Sequence, residues 1–154
     1  MADPTEYEQL AISARDFRFY AFEALGLGRS TSDMIQMIRR GFPSGKVIRL
    51  AAEYEIPGGL LQKTLHISRS TFQRRKRVGR FTADESDRFI RLAALYGMAA
   101  DVLGSKHDAS EWMSTPNRSL GGVPPAEFLV TETGGREVED LLGRIAHGVT
   151  ACLR

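Results

Sequence analysis

Residues 57–80 read PGGLLQKTLHISRSTFQRRKRVGR, and this stretch carries the signals for two short helices joined by a tight turn. Helical spacing predicts a first helix over residues 58–65, a turn at residues 66–67, and a second helix over residues 69–77 that Ser68 caps. Four apolar side chains are spaced to form one small core between these helices: Leu61, Leu65, Ile67 and Phe72. The stretch therefore predicts a helix-turn-helix.

The second of these helices carries side chains that suit contact with DNA. In this motif the second helix enters the major groove, where arginine pairs with guanine and glutamine with adenine in bidentate fashion. Arg69, Ser70 and Gln73 would face base edges, and the basic residues that follow would contact phosphates: Arg74, Arg75, Lys76, Arg77 and Arg80. The predicted DNA-binding set is Ser68, Arg69, Ser70, Gln73, Arg74, Arg75 and Arg77. The alternative is a helical pair kept for packing, with a solvated basic rim.

The charge of the chain is unevenly distributed behind a formal net charge of +2. Residues 39–80 contain eleven Lys and Arg residues and only two acidic ones, Glu53 and Glu55. The segments on either side, residues 1–38 and 81–154, each contain more acidic than basic residues. A basic middle between acidic flanks indicates a localised contact with a polyanion, or otherwise a solvated basic face.

The rest of the chain is also predicted to be helical, since no period-two alternation and no hairpin turn is present. We expect an all-α fold. Helix starts are indicated at Ser30 or Thr31, Pro43 with Ser44, Thr82 with Glu85, Asp108 with Glu111, Pro124 with Pro125, and Thr133. Helix ends are indicated at Gly41, Gly104 and Gly148. Trp112, on the helix capped by Asp108, is predicted to be a core anchor.

Composition favours a cytoplasmic location. The single cysteine, Cys152, cannot form an intrachain disulfide, which favours a reducing compartment. No apolar run approaches the roughly 20 residues of a membrane span, and the acidic N-terminus lacks the apolar core of a signal peptide. We therefore expect no membrane association.

An enzymatic alternative finds little support in the residues. The three histidines, His66, His107 and His147, are about forty residues apart and share no metal-ligand spacing. Residues 41–47 resemble a phosphate-binding loop but are one residue short and lack the hydroxyl residue after Lys46. We therefore expect no catalytic residues, no metal and no cofactor.

The C-terminal third contains an unusual string of spaced residues. In order, it consists of Trp112, Pro116-Asn117, Leu120-Gly121-Gly122, Pro124 or Pro125, Glu127, Leu129, Thr131, Gly134-Gly135, Val138, Leu141-Leu142, Gly143-Arg144-Ile145 and His147-Gly148-Val149. This string resembles the toxin-binding domain of the Xre/MbcA/ParS antitoxin family, and ParS most. The upstream stretch resembles the Xre-like helix-turn-helix, from which it departs at Gln62, His66 and Arg75. Together these resemblances cover about residues 43–150.

The resemblance implies an all-α architecture in which an Xre-like helix-turn-helix bundle is followed by a small helical toxin-binding domain. We expect an N-terminal helical extension over residues 1–40, a DNA-facing domain over residues 41–104 and a toxin-binding domain over residues 105–154.

It also implies an antitoxin whose partner is a RES-domain toxin, an enzyme class that consumes NAD or transfers ADP-ribose. The C-terminal helix and tail would occlude the toxin's NAD pocket, and the matching residues here are Arg144, His147, Gly148 and Val149. The family's antitoxins repress their own operon, so operator DNA and a homodimer within a hetero-oligomer are expected. The alternatives are a free-standing helix-turn-helix regulator with a C-terminal dimerisation domain, and a tail that docks on its own core.

Overall fold

The structure, a computed structural model, describes Gly26 and residues 31–148, and between residues 31 and 148 it contains helices but no β-strand. The helices are α1 (Thr31–Arg40), α2 (Ser44–Glu53), α3 (Gly58–Leu65), α4 (Arg69–Val78), α5 (Ala83–Leu103), α6 (Lys106–Ser114), a 3₁₀ turn (Arg118–Leu120), α7 (Pro125–Phe128) and α8 (Glu132–Ala146). The predicted all-α fold is confirmed. The expected N-terminal extension and tail fall mostly outside the described residues.

Helix α5 lies at the centre of the molecule, where it contacts α1, α2, α3, α6 and α8. It begins with the predicted capping box: the Glu85 amide donates to Thr82 Oγ1 at 3.2 Å, and the Thr82 amide donates to Glu85 Oε2 at 2.9 Å. It ends at Gly104, which is left-handed. Its buried side chains, including Phe89, Leu92 and Tyr96, belong to one core that extends from Phe42 to Leu142. The two halves of the described chain therefore share a single hydrophobic core.

Two predicted helix starts are wrong by two or three residues. Helix α6 is capped by Ser105, whose hydroxyl accepts from the Asp108 amide at 3.0 Å, so Asp108 lies inside the first turn. Helix α8 is capped by Thr131, whose hydroxyl accepts from the Gly134 amide at 3.0 Å, and Thr133 lies inside the helix. In both places the chain offers two capping residues within one turn, and the earlier one extends the helix.

The segment between α6 and α8 is short and shaped by its turns. The Asn117 amide donates to the Val123 carbonyl at 3.2 Å, and the 3₁₀ turn lies between these two residues. Pro125 opens α7 in the first helical position, as predicted. Trp112 is half-buried and packs against the core, which agrees with its predicted role as a core anchor. None of the helices in the described part of the chain is long and apolar enough to cross a membrane.

Candidate nucleic-acid interface and C-terminal binding segment

The predicted helix-turn-helix is present at α3 and α4. Helix α3 ends at Leu65, and His66 adopts a left-handed conformation with φ of 57° that turns the chain. Ser68 then caps α4 by accepting from the Thr71 amide at 3.1 Å. Leu61 and Leu65 are buried between the helices. Ile67 and Phe72 are partly buried against the same core.

Helix α4 presents most of the predicted DNA-binding side chains on one face. At about 100° per residue, Arg69, Ser70, Gln73, Arg74, Lys76 and Arg77 fall within an arc of about 160°. All six are exposed. The opposite arc holds Thr71, Phe72 and Arg75, which are partly buried against the rest of the protein. The outer face of α4 is therefore polar, strongly basic and free to meet a ligand.

Arg75 differs from the other predicted phosphate contacts. Its Nε donates to Glu85 Oε2 at 2.8 Å and its Nη2 donates to Glu85 Oε1 at 3.0 Å, which is a bidentate ion pair. Burial opposes the charge on Glu85, but hydrogen bonds from Arg75 and Thr82 outweigh it and lower the pKa of the Glu85 carboxyl. The hydrogen bond to Glu85 raises the pKa of Arg75. The sequence predicts a phosphate contact for Arg75, whereas the structure shows it holding α4 against α5.

Arg80 lies just beyond α4 and touches the end of α1. Its Nη1 donates to the carbonyl oxygens of Arg40 and Gly41, which are at the C-terminus of that helix. Residues 42–44 and 79–81 run antiparallel here: the Ser44 amide donates to the Gly79 carbonyl, and the Phe81 amide donates to the Phe42 carbonyl, both at 3.0 Å. The end of α4 is thereby fixed beside the junction of α1 and α2.

The two acidic residues of the basic middle are directed away from α4. Glu53 pairs with Lys106 at 3.4 Å, and Glu55 pairs with His107 at 3.0 Å, both partners being on α6. The hydrogen bond that His107 donates to Glu55 raises the pKa of His107. These carboxylates therefore leave the exposed cations of α4 without neutralisation from within residues 39–80.

The predicted toxin-binding residues lie at the end of α8. Val138, Leu141 and Leu142 are buried on the core face of this helix, while Arg144 is exposed in its last turn. His147 follows the helix as its C-terminal cap, and Gly148 is exposed with φ of 71°. Arg144, His147 and Gly148 thus lie within one short segment. Val149, the fourth predicted residue, lies outside the described residues.

Contacts missed by the sequence analysis join the helix-turn-helix to the start of α8. His66 Nε2 lies 3.0 Å from the Val130 carbonyl oxygen, just before the Thr131 cap. Arg91 of α5 pairs with Glu132 of α8 at 3.5 Å. The departure of His66 from the Xre-like pattern is a signal in the sequence at the position that makes this contact.

A half-open groove of about 790 Å³ lies where α3, α5 and α8 meet. Its charged lining is balanced, since it holds three arginines and three carboxylates: Arg88, Arg91, Arg136, Glu132, Glu139 and Asp140. Arg136 pairs with Glu132 at 2.8 Å, so part of this charge is already satisfied. No cluster of three metal-ligating side chains occurs in residues 31–148. The groove therefore shows no excess charge that would select a charged ligand.

Two protein families match consecutive parts of the chain. Residues 33–94 match the family described as the antitoxin Xre-like helix-turn-helix domain, which includes all of α2, α3 and α4. Residues 98–148 match the antitoxin Xre/MbcA/ParS C-terminal toxin-binding domain, which includes α6, α7 and α8. The exposed basic helix and the end of α8 therefore lie in different family domains.

Similar proteins carry antitoxin names. The protein named Antitoxin Xre from Yersinia enterocolitica is 40% identical over 118 residues, which cover 75% of this chain and 80% of the relative. An Antitoxin Xre from Photorhabdus laumondii is 45% identical over 74 residues, covering 47% and 50% of the two chains. The Prs ADP-ribosylating antitoxin of a Sphingobium species is 27% identical over 142 residues, covering 86% and 89%. The chain belongs to the Xre/MbcA/ParS antitoxin family and is an antitoxin of a toxin–antitoxin system, with a helix-turn-helix domain followed by a C-terminal toxin-binding domain.

Proposed function

We propose that this antitoxin neutralises a RES-domain toxin by placing the end of α8 and the residues after it in the toxin's active site. The observation that carries the proposal is the match of residues 98–148 to a toxin-binding domain, because this match ends at the exposed segment that holds Arg144, His147 and Gly148. Arg144 can bind a carboxylate or carbonyl group of the toxin, and Gly148 allows close approach of the backbone. Neutralisation is then steric exclusion of substrate and needs no chemistry from the antitoxin.

A toxin that uses NAD or ADP-ribose is supported by two observations. The string from Trp112 to Val149 resembles ParS, whose toxin partners have a RES domain. The Sphingobium relative carries ADP-ribosylation in its name, and it aligns with this chain over 142 residues. We therefore infer that the partner's substrate is NAD.

The same antitoxin is proposed to repress its own operon through α4. The outer face of this helix holds Arg69 and Gln73 for base edges, with Arg74 and Arg77 for phosphates. Arg75 is omitted from this set because its guanidinium is engaged by Glu85. A homodimer would place two α4 helices on the half-sites of a symmetric operator.

The test of neutralisation is co-expression with the protein encoded next to this antitoxin, followed by purification and an assay of NAD loss. The full chain should form a stable complex without NAD loss, and removal of residues 144–154 should restore NAD loss. Because Ile145 packs against the core, a second truncation after Ala146 leaves that packing intact and isolates the effect of the residues beyond the helix. The matched control is Arg118→Ala, which changes an exposed arginine on the 3₁₀ turn and leaves the end of α8 intact.

Two results would contradict the proposal. If both truncations keep the toxin inactive, the end of α8 does not occlude the active site. If the neighbouring protein forms no complex and causes no growth defect when expressed alone, the chain acts as a free-standing DNA-binding regulator.

A further inference from the structure

Two adjacent arginines at the end of α1 lie outside the helix-turn-helix yet belong to the basic middle of the chain. Arg39 and Arg40 form the last turn of this helix and are both exposed. Neither makes an ion pair with another residue in the described part of the chain. Their charges stabilise the helix C-terminus only weakly, because an exposed site screens the helix dipole. The two guanidinium groups are therefore available to an external anion.

The backbone fixes these arginines beside the end of α4. Gly41 has φ of 78°, and a Cβ at this position would overlap the Phe81 carbonyl oxygen, so only glycine allows the two segments to meet. The Phe42 amide also donates to Ser86 Oγ at 2.8 Å, which ties the same segment to α5. The last turn of α1 is thus held against the residues that directly follow α4.

The charged side chains around this junction are mainly positive: Arg39, Arg40 and Arg80 face one exposed carboxylate in the first turn of α5, Asp84, since its neighbour Glu85 is paired with Arg75. Arg80 lies between the two helices, with its guanidinium on the carbonyl oxygens of Arg40 and Gly41. Glu53 and Glu55 are paired with α6, and the acidic residue of α1, Asp33, is in the first turn, opposite the arginine end. The positive surface of α4 is therefore extended by the end of α1.

We propose that Arg39 and Arg40 bind the phosphodiester backbone of duplex DNA beside the segment contacted by α4. This inference rests on the proposed DNA-binding role and lengthens the DNA footprint of each antitoxin subunit. The contact is with phosphates because the arginines lie at the end of a helix that is packed on α5 and is not free to enter the groove. Such contacts add affinity and fix orientation but carry no sequence preference.

The experiment measures binding of the full-length antitoxin to two duplexes, one from its own upstream region and one of scrambled sequence, across a series of salt concentrations. Each lost phosphate contact lowers the slope of log affinity against log salt by about 0.9. The double variant R39A/R40A should therefore lose about 1.8 from the slope for each bound subunit, or about 3.6 for a homodimer, on both duplexes. Between 50 and 200 mM salt its affinity should fall roughly tenfold less per bound subunit than that of the unaltered chain.

Two further variants separate charge from packing. R39K/R40K keeps both charges and should keep the slope of the unaltered chain. R39Q/R40Q keeps most of the side-chain length but no charge, so its slope should decrease as much as that of R39A/R40A. Arg118→Ala, in the toxin-binding domain, is the matched control and should leave the slope unchanged.

An unchanged slope for R39A/R40A and R39Q/R40Q, with salt-dependent binding by the unaltered chain, would overturn this inference alone. If the unaltered chain binds neither duplex, the proposed DNA-binding role fails and this inference fails with it.

Discussion

Arg75 Nε lies 2.8 Å from Glu85 Oε2, and this ion pair connects the basic helix α4 to the first turn of α5. The Arg75 side chain is 20% exposed and that of Glu85 is 6% exposed, so the pair is largely removed from water. Glu85 also accepts from the Thr82 amide as part of the capping box. One carboxylate therefore both starts α5 and positions α4.

We expect Arg75→Ala to destabilise the fold by roughly 2–3 kcal/mol, because it leaves a buried carboxylate without its charged partner. The free energy of unfolding in urea measures this. Arg74→Ala, an exposed neighbour, is the matched control and should change stability by less than about 0.5 kcal/mol. The double variant R75M/E85Q should recover part of the loss, since no unpaired charge is left. Equal effects of the Arg74 and Arg75 changes would contradict a structural role for Arg75.

The same pair gives the stability a pH dependence of known sign. The pKa of Glu85 is lowered in the folded protein, so its contribution to stability is present above the unfolded value of about 4.5 and is lost as pH falls through the folded pKa. Unfolding midpoints measured downward from pH 7 should therefore fall less steeply in Glu85→Gln than in the unaltered chain. Identical acid profiles for the two proteins would show that Glu85 does not have a lowered pKa.

For DNA binding we expect Arg74→Ala and Arg77→Ala each to lower the salt slope by about 0.9 per bound subunit without loss of stability, because both side chains are exposed on the outer face of α4. Gln73→Ala should cost about 1–3 kcal/mol of discrimination at one base pair. Fluorescence anisotropy with labelled duplexes measures both quantities. Arg136→Ala on α8 serves as the control, and a slope that drops equally in that variant would mean that the loss is not specific to α4.

Features that depend on residues close together in the sequence could be predicted, whereas contacts between distant residues could not. The turn after α3, the Ser68 cap and the Thr82 and Glu85 capping box depend on residues within four positions of one another, and all were predicted. The partner of Arg75 is ten residues away on the next helix, so the basic run gave no sign that one of its members is neutralised. The contact of His66 with Val130 spans 64 residues and depends on tertiary packing.

The caps of α6 and α8 show a second limit. Ser105 and Asp108 are both good caps, and in the structure they bind each other, with Ser105 Oγ donating to Asp108 Oδ2 at 2.7 Å. Pattern alone does not decide between two such residues in one turn. For the toxin-binding segment, the residues were carried over by resemblance, because Arg144 and His147 have no local feature that marks them.

His66 gives a prediction about backbone strain. Its φ of 57° costs an alanine about 1–2 kcal/mol but costs glycine nothing. Both His66→Gly and His66→Ala remove the hydrogen bond to Val130, so we expect the glycine variant to be the more stable by about 1 kcal/mol. Lys63, exposed within α3, is the matched control, and there alanine should be more stable than glycine. If the glycine and alanine variants had the same order of stability at residues 63 and 66, the left-handed conformation of His66 would be contradicted.

At Gly134 we expect alanine to lower stability, which is the opposite of its usual effect at a helical glycine. In the interior of a helix, glycine to alanine stabilises by roughly 0.5–1 kcal/mol, and we expect this at Gly143, where an added Cβ would meet nothing within 4 Å. At Gly134 a Cβ would overlap the Phe128 carbonyl oxygen and lie 2.9 Å from Thr131 Oγ1, the atom that caps α8. Gly134→Ala should therefore destabilise the protein by roughly 1–3 kcal/mol.

Comparing Gly134→Ala with Gly143→Ala also tests whether the packing of α8 affects toxin binding. Because α7 and the cap of α8 meet at Gly134, its replacement should displace α8 relative to α7 and weaken toxin binding, while Gly143→Ala should keep the complex and raise the unfolding midpoint. Urea unfolding and co-purification with the toxin measure the two effects. A gain of stability in Gly134→Ala would show that α7 does not approach α8 this closely, and a lost complex in a stable Gly143→Ala would place a toxin contact at residue 143 itself.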